Sequence, residues 1–251
     1  MNTKALKFLL FFLLLSITLF SQTKNQYAKA KVSYSVKTSL DKNLKSYKFL
    51  QQRMPELAKK RETIASEFDF SLFFNDSTSI FFLEKKLFSD NGAATFALID
   101  VGYFGRIKQQ SSNYITEELQ EDFGKFLVLR PYQKWELHEE TKMIGKYLCF
   151  KATTSHTTTN PKGKVFKHNF TAWYTPQIPY KFGPAGYGNL PGLIIELQSE
   201  KATYGVTKIQ FYDDHKGKKI KMPKLKRKKM ITEEIFEKLA AEDEKRWLKK
   251  N

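Results

Sequence analysis

Apolar and polar positions alternate along much of the chain, which is the pattern of a strand with one buried face. In residues 31–38, Val32, Tyr34 and Val36 alternate with lysine and serine. Similar runs, separated by turn residues, predict strands at 68–74, 79–83, 94–103, 113–118, 126–129, 134–137, 147–155, 165–174, 193–198 and 204–212. Because turns rather than helices separate these runs, we predict a mainly β fold with a single-domain antiparallel sheet, either an open curved sheet or a half-barrel.

Two segments depart from the strand pattern. Residues 41–66 are polar and free of glycine, their apolar residues fall near helical spacing, and Pro55 breaks or starts a helix there. Near the end of the chain, Thr232 is placed to cap a helix whose first turn carries Glu233 and Glu234, the charge that a helix start favours. We therefore expect an N-terminal helical segment and a C-terminal helix.

One hairpin can be paired in register. Asn160-Pro161-Lys162-Gly163 suits a type I turn with glycine in the left-handed position, so residues 147–175 form two strands around it. The register predicts these cross-strand pairs: Thr158 with Phe166, His156 with His168, Thr154 with Phe170, Ala152 with Ala172, Lys151 with Trp173, and Phe150 with Tyr174. Lys151 could then form a cation–π contact with Trp173.

The start of the chain has the three parts of a secretory signal peptide. Lys4 and Lys7 precede an apolar run at 8–20, and polarity rises from Ser21. The run is about 13 residues, shorter than the roughly 20 that a membrane-crossing helix needs, although an N-terminal anchor stays open. We divide the chain into a signal peptide (1–21), a β-rich domain (22–213) and a basic tail with an amphipathic helix (214–251). We expect an exported protein that is periplasmic or associated with the outer membrane.

The formal charge of the 251 residues is +17, and one segment concentrates it. Residues 216–229 hold nine basic side chains: Lys216, Lys218, Lys219, Lys221, Lys224, Lys226, Arg227, Lys228 and Lys229. They could contact an anionic lipid or lipopolysaccharide surface, or an acidic partner, although a simple solvated tail stays open. Export argues against a nucleic-acid partner, and so does the absence of aromatic residues on which bases would stack.

A glycine- and proline-rich block lies near the last third of the chain. Residues 183–196 read GPAGYGNLPGLIIE, a sequence that resembles the signature of the GLPGLI family, a Porph_ging-type domain of unknown function. Blocks at 140–152 and 172–179 fit the same family. The departure is Asn189, where the family pattern has its first glycine; asparagine tolerates the left-handed region better than most residues. The resemblance implies a β-rich exported envelope protein of Gram-negative bacteria, often a companion of outer-membrane transporters, with no settled activity.

Two interpretations of this block are open. It can be a structural crossover that seals one end of the sheet, since glycine and proline are turn residues. It can also be a binding loop, since binding residues concentrate on loops that a rigid scaffold positions. The candidate binding residues are Gly183, Pro184, Gly186, Gly188, Asn189, Leu190, Pro191 and Gly192.

Catalytic and metal-binding signals are weak. Cys149, the single cysteine, alternates with apolar residues in a strand, which indicates a packed thiol. His156 and His168 could form a two-histidine clip, but a metal site needs further ligands. No nucleophile motif of the G-x-S-x-G type occurs. We therefore expect no cofactor, no metal and no catalytic residue.

Three functions stay open. The first is a non-enzymatic, partner-binding accessory of an outer-membrane transporter or assembly, which uses the basic tail and the glycine-rich loop. The second is a periplasmic carrier or sensor that holds an apolar ligand in the concavity of the sheet, an idea that the 22 phenylalanines favour. The third is an enzyme, for which a cleft with convergent titratable residues would be the minimum sign. The oligomeric state does not follow from the sequence.

Overall fold

The computed structural model describes residues 26–39, 45–88, 90–120, 124–159, 164–212, 219–226 and 228–250. In chain order, its elements are β1 (Ala30–Thr38), α1 (Lys45–Arg53), α2 (Pro55–Ala65), β2 (Asp69–Phe74), β3 (Ser79–Leu83), α3 (Asn91–Asp100), β4 (Ile107–Gln109), β5 (Asn113–Gln120), β6 (Gly124–Pro131), β7 (Glu136–Ile144), β8 (Tyr147–Thr159), β9 (Val165–Thr175), a 3₁₀ turn (Pro184–Gly186), β10 (Leu193–Ser199), β11 (Ala202–Phe211), β12 (Lys229–Thr232) and α4 (Glu233–Lys250).

All described strands belong to one sheet that does not close. Its order is β12-β6-β5-β4-β3-β2-β1-β11-β10-β9-β8-β7, so β12 and β7 are the edges. The prediction of a mainly β fold with an open sheet is confirmed. The pairing is not purely antiparallel, because β12 runs parallel to β6. β12 follows β11 in the sequence but lies at the far edge of the sheet, beside β6.

The β8–β9 hairpin pairs in the predicted register. Phe150 lies opposite Tyr174, Ala152 opposite Ala172, and His156 opposite His168, while the predicted turn at 160–163 lies outside the described residues. Trp173 does receive a cation, but from Lys142, whose Nζ lies 4.2 Å from the ring centroid. Lys151 bonds Glu140 instead, over 2.9 Å, because β7 places that carboxylate beside it.

The strand predicted at 94–103 is wrong, because α3 occupies most of that segment. Asp90 caps this helix: its carboxylate accepts a hydrogen bond from the main-chain N–H of Ala93 over 3.0 Å. Ala93 and Ala97 are buried one turn apart, so the helix presents a face of small side chains to the core. Alanine has the highest intrinsic helix propensity, and an apolar run of this length does not by itself distinguish strand from helix.

The other helices follow the sequence pattern. The segment 41–66 contains α1 and α2, and Pro55 is the first residue of α2, where its missing N–H costs nothing. At α4, the hydroxyl oxygen of Thr232 lies 3.5 Å from the main-chain nitrogen of Ile235, in the N-cap arrangement. No described helix is both long and apolar enough to span a membrane.

The core lies on the inner face of the central strands. Tyr34, Phe70, Phe81 and Tyr204 are almost completely buried there, and their rings contact one another at centroid distances of 5.2 to 6.1 Å. Such aromatic contacts add to the stabilisation that burial of the rings provides. The end of α3 covers this cluster, because Tyr204 donates a hydrogen bond to the carbonyl oxygen of Val101 over 2.8 Å.

Residues 219–226, here called the strap, lie against the outer face of the same sheet. The main-chain N–H of Ala28 donates to the Ile220 carbonyl oxygen over 2.8 Å, and that of Lys226 donates to the Glu117 carboxylate over 2.7 Å. Glu117 alternates along β5 with Thr116 and Glu118, which face inward, so the strap is on the opposite side. Its lysines are exposed, and its apolar residues are half-buried: Ile220, Met222, Pro223 and Leu225.

Candidate functional site

A cavity of about 650 Å³ lies on the inner, concave side of the sheet. Its walls come from β5 and β6, the β8–β9 hairpin, β10 and β11, the segment after α3, and the first turns of α4. The volume falls in the range of about 300–1,000 Å³ that is usual for small-molecule sites.

Six aromatic side chains line this cavity: Phe104, Tyr114, Tyr132, Phe170, Tyr187 and Tyr204. Burial raises the pKa of Tyr114, Tyr132, Tyr187 and Tyr204, so these phenols are neutral at physiological pH. Tyr132 donates its hydroxyl to the carbonyl oxygen of Gln110 over 2.8 Å. Tyr204 likewise donates to the carbonyl oxygen of Val101, so these two hydroxyl groups bond the protein itself and leave their aromatic rings to line the cavity.

Arg130 organises the polar wall of the cavity. Its Nη1 lies 3.0 Å from a carboxylate oxygen of Glu118, its Nε lies 3.1 Å from a carboxylate oxygen of Glu233, and it also donates to the hydroxyl of Thr116. The guanidinium lies 5.5 Å from the ring centroid of Phe236 on α4. Arg130 therefore joins β6 to both β5 and α4, and it fixes the first turn of α4 at the rim of the cavity.

Further charged side chains lie at the rim. Asp100 forms an ion pair with Arg61 over 3.3 Å, and burial raises the pKa of its carboxyl group despite the opposing effect of that guanidinium. Glu200, Lys201 and Glu237 also line the cavity. The cleft thus gathers titratable residues, which is the minimum geometric sign that an enzyme would show.

His156 and His168 lie at the hairpin side of the rim. Their ring centroids are 5.1 Å apart, and the Nε2 of His168 lies 2.9 Å from the hydroxyl of Thr158. Burial, and secondarily the neighbouring His168, lowers the pKa of His156. Within the described residues, no group of three metal-ligating side chains occurs.

The glycine- and proline-rich loop is mostly buried beside the cavity. Gly183, Pro184, Gly186, Gly188, Leu190 and Gly192 are buried, whereas Asn189 and Pro191 are exposed. Among the described lining residues, the loop contributes Ala185 and Tyr187 and none of the eight predicted positions. A direct binding role of those eight residues stays a prediction; Tyr187, between Gly186 and Gly188, does line the wall.

Close packing explains two of the glycines. A Cβ atom at Gly192 would lie 2.1 Å from the carbonyl oxygen of Thr175, which no side chain tolerates. Gly186 has φ of 85°, and a Cβ there would lie 2.8 Å from the ring of Tyr114. Asn189, which replaces the family's glycine, adopts the left-handed conformation with φ of 63°.

Those of the nine basic residues that the structure describes are not among the residues that line the cavity. Lys216, Lys218 and Arg227 are outside the described residues. Lys219, Lys221, Lys224 and Lys226 are on the strap, Lys228 precedes β12, and Lys229 is its first residue. The four strap lysines point to solvent from the outer face. An anionic contact through them stays a prediction.

Cys149 is likewise separate from the cavity. Cys149 is 0% exposed, and burial raises the pKa of its thiol to about 11. The thiol is packed, as the strand pattern predicted, and it is not a thiolate nucleophile at neutral pH.

Comparison with known proteins identifies part of the chain. Residues 163–196 match the family described as "Protein of unknown function (Porph_ging)", which confirms the resemblance drawn from the loop motif. The match covers β9, the glycine- and proline-rich loop and the first part of β10. No curated protein matches the chain.

Two solved structures of PNGF-II are similar to the chain at low identity. The structure in space group C2 is 14% identical to this chain, with a TM-score of 0.44. The matched region covers 81% of this chain and 30% of the PNGF-II chain. The structure in space group P21 is 13% identical to this chain, with a TM-score of 0.47. The matched region covers 84% of this chain and 33% of the PNGF-II chain. The chain therefore spans well under two thirds of the length of these solved proteins.

Proposed function

We propose that this protein is a carrier or sensor that binds a small, largely apolar ligand in the cavity of its concave sheet. The observation that carries the proposal is the aromatic lining of a cavity of about 650 Å³. Pockets for small molecules combine apolar and aromatic walls with polar groups that orient the ligand, and this lining contains both kinds of residue. In an exported protein of the envelope, such a site would collect or report a ligand outside the cytoplasm.

The polar wall supports binding more directly than catalysis. Glu118 and Glu233 both bond the same guanidinium, that of Arg130. Their carboxylate oxygens are already bonded to that side chain, at 3.0 Å for Glu118 and 3.1 Å for Glu233. These groups are therefore suited to orient a polar end of the ligand while the aromatic walls hold its body.

A fluorescent apolar probe tests the proposal. N-phenyl-1-naphthylamine is weakly emissive in water and brightens in apolar surroundings, and we expect saturable binding to the purified protein. Phe104 at the cavity mouth is 53% exposed, so Phe104→Ala removes a contact without opening the core. We expect about tenfold weaker binding, because a Phe side chain contributes roughly 1.5–3 kcal/mol when fully buried and less at a rim.

The matched control is Phe166→Ala, which truncates a phenylalanine that is 40% exposed and not among the cavity residues. This variant should bind the probe as the unchanged protein does. Absence of saturable binding, or equal loss in both variants, would reject the cavity as a ligand site.

The strap favours a second candidate, an accessory of an outer-membrane transporter or assembly. Four exposed lysines in eight residues form a basic row on the outer face: Lys219, Lys221, Lys224 and Lys226. Such a row attracts an acidic protein or lipid surface through interactions that salt weakens. A ligand carrier that docks on a transporter would use both faces of the sheet.

Charge removal tests the second candidate. Replacing the four strap lysines with glutamine should abolish the recovery of an outer-membrane transporter in a low-salt pull-down. The control replaces four exposed lysines elsewhere, at Lys37, Lys48, Lys59 and Lys208, and should retain it. Equal recovery with both variants would reject the strap as the contact surface.

A further inference from the structure

The charge of the cavity is opposite to that of the whole protein. The described lining contains five carboxylates: Asp100, Glu118, Glu200, Glu233 and Glu237. The lining cations are Arg130 and Lys201, and Arg61 pairs with Asp100 from behind. Five carboxylates face three cations, an excess of two negative charges, in a chain whose formal charge is +17.

The excess is not spread evenly around the cavity. Arg130 is shared by Glu118 and Glu233, so that cluster retains one negative charge although it contains a guanidinium. Glu237 follows one helical turn after Glu233 on α4 and adds another carboxylate on the same side. The side of the cavity formed by β5, β6 and α4 is therefore the acidic side.

Aromatic rings lie next to this acidic side. Tyr114 is on β5, the same strand as Glu118, and Tyr132 follows Arg130. The centroids of these two tyrosine rings are 5.7 Å apart. Neutral aromatic rings attract cations through their faces, and carboxylates attract them at longer range. Both features select the same kind of ligand.

We infer that the ligand carries a cationic group, an amine or a quaternary ammonium, attached to an apolar body. The cationic group lies between the Tyr114–Tyr132 pair and the carboxylates of Glu118, Glu233 and Glu237. The apolar body extends toward Phe170 and Tyr187, whose ring centroids are 4.5 Å apart. This inference rests on the proposed function, since it specifies the ligand of the same cavity.

The preference for a cation follows from the electrostatic repulsion of an anionic ligand group as well as from the attraction of a cationic one. An anionic group beside Glu118 would face the excess carboxylates, because Arg130 already uses its guanidinium on two of them. A neutral group would leave the electrostatic attraction unused. At effective dielectric constants near a protein surface, one unit charge several ångströms away changes affinity by roughly tenfold.

Three compounds of similar length test the inference: 4-phenylbutylamine, 4-phenylbutanol and 4-phenylbutyrate. They share an apolar body and differ in the charge of one end. In calorimetric titrations of the full chain at pH 7 and low salt, we expect the amine to bind at least about tenfold more tightly than the alcohol. We expect the carboxylate to bind most weakly, and added salt to reduce the advantage of the amine.

A variant separates charge from shape. Glu237 is exposed, so Glu237→Gln should leave folding unchanged and lower the affinity for the amine about fivefold, with no change for the alcohol. The matched control, Glu242→Gln, alters an exposed carboxylate of the same helix that is not among the cavity residues, and should change neither affinity. A merely structural role of Glu237 would instead move both affinities together.

Other outcomes identify which proposal fails. If the alcohol or the carboxylate binds as tightly as the amine, the preference for a cation is wrong while ligand binding stands. If N-phenyl-1-naphthylamine binds but Glu237→Gln leaves the ratio of amine to alcohol unchanged, the acidic side does not select the ligand. If neither the naphthylamine probe nor any of the three compounds binds, the proposed function itself is wrong.

Discussion

The side-chain amide of Gln109 donates a hydrogen bond to the main-chain carbonyl oxygen of Tyr187 over 2.8 Å. The same amide group accepts hydrogen bonds from the main-chain N–H of Gly183 over 3.2 Å and from the hydroxyl of Ser79 over 2.9 Å. Gln109 is 0% exposed. A single buried side chain on the shortest strand therefore holds the glycine- and proline-rich loop against the sheet, and so positions Tyr187 in the cavity wall.

Removal of this amide should destabilise the loop. Gln109→Ala leaves the Gly183 N–H and the Tyr187 carbonyl without their partner and creates a void. We expect the free energy of unfolding to fall by about 2–4 kcal/mol. Denaturant unfolding followed by circular dichroism measures it.

The control is Gln210→Ala, which removes an exposed glutamine from β11. A substitution of this kind should change stability by less than about 0.5 kcal/mol. If Gln109→Ala is no more destabilising than this control, the side chain does not hold the loop.

The family motif makes a separate prediction at Gly192. A Cβ atom there would lie 2.1 Å from the Thr175 carbonyl oxygen, so Gly192→Ala must displace β9 from the start of β10. We expect a loss of about 3 kcal/mol or more, or failure to fold, since backbone clashes are among the largest single-mutation effects. A thermal melt or the soluble yield reports it.

Gly205→Ala is the matched control for this experiment. It adds the same methyl group in β11, where no heavy atom lies within 4 Å of the added Cβ. This variant should be as stable as the unchanged protein or slightly more stable, because alanine restricts the unfolded chain. Similar melting temperatures for both variants would contradict the packing role of Gly192.

Arg130 should hold α4 to the sheet. Arg130→Ala removes the ion pairs with Glu118 and Glu233, and the Glu118 side chain, only 7% exposed, loses its cation. Breaking a buried pair in this way costs about 3–5 kcal/mol, less any relief from water that enters the cavity. We also expect trypsin to release the C-terminal helix faster, since its first turn loses an anchor.

The comparison variant for the proteolysis experiment is Arg246→Ala. Arg246 is exposed on the same helix and pairs with Asp243, also on this helix, over 3.3 Å. The Arg246→Ala variant should leave the melting temperature and the rate at which trypsin releases α4 unchanged. The one difference should be the loss of the trypsin cleavage site at residue 246. Equal cleavage rates for the Arg130 variant and the unchanged protein would show that α4 is anchored otherwise.

The thiol of Cys149 should resist alkylation in the folded protein. Burial raises its pKa to about 11, so the reactive thiolate is a small fraction at pH 8, and the residue has no exposed surface. Iodoacetamide should modify it at least about a hundredfold faster in denaturant, as mass spectrometry would record. Rapid modification under native conditions would mean that β7 opens readily away from β8.

Local patterns in the sequence were sufficient for much of the fold. The alternation in β1 and the turn between β8 and β9 act over neighbouring residues, so the faces and the register of that hairpin follow from them. The same reasoning failed at α3, where the apolar run at 94–103 predicted a strand and the N-cap Asp90 was not recognised as a helix start. The strand predicted at 134–137 also ends too early, since β7 continues to Ile144. This edge strand is mostly exposed and shows no alternation that would reveal its length.

The cavity depends on contacts that no local pattern contains. Tyr114 and Glu118 fall on one face of a predicted strand, which was the available signal. Their neighbours Arg130, Tyr187 and Glu233 come from separate segments. Glu233 is near them because β12, which precedes α4, pairs in parallel with β6. The strap was predicted as a basic surface, but its docking on the outer face depends on Glu117 and on main-chain bonds near Ala28.

The most direct test of the account is a crystal structure of the protein saturated with N-phenyl-1-naphthylamine. We predict electron density for the probe inside the concave side of the sheet, in contact with Phe104, Tyr132 and Phe170. Two results would contradict the claim that this cavity is the ligand site. One is density for the probe on the outer face beside the strap; the other is an empty cavity in crystals of protein that binds the probe in solution.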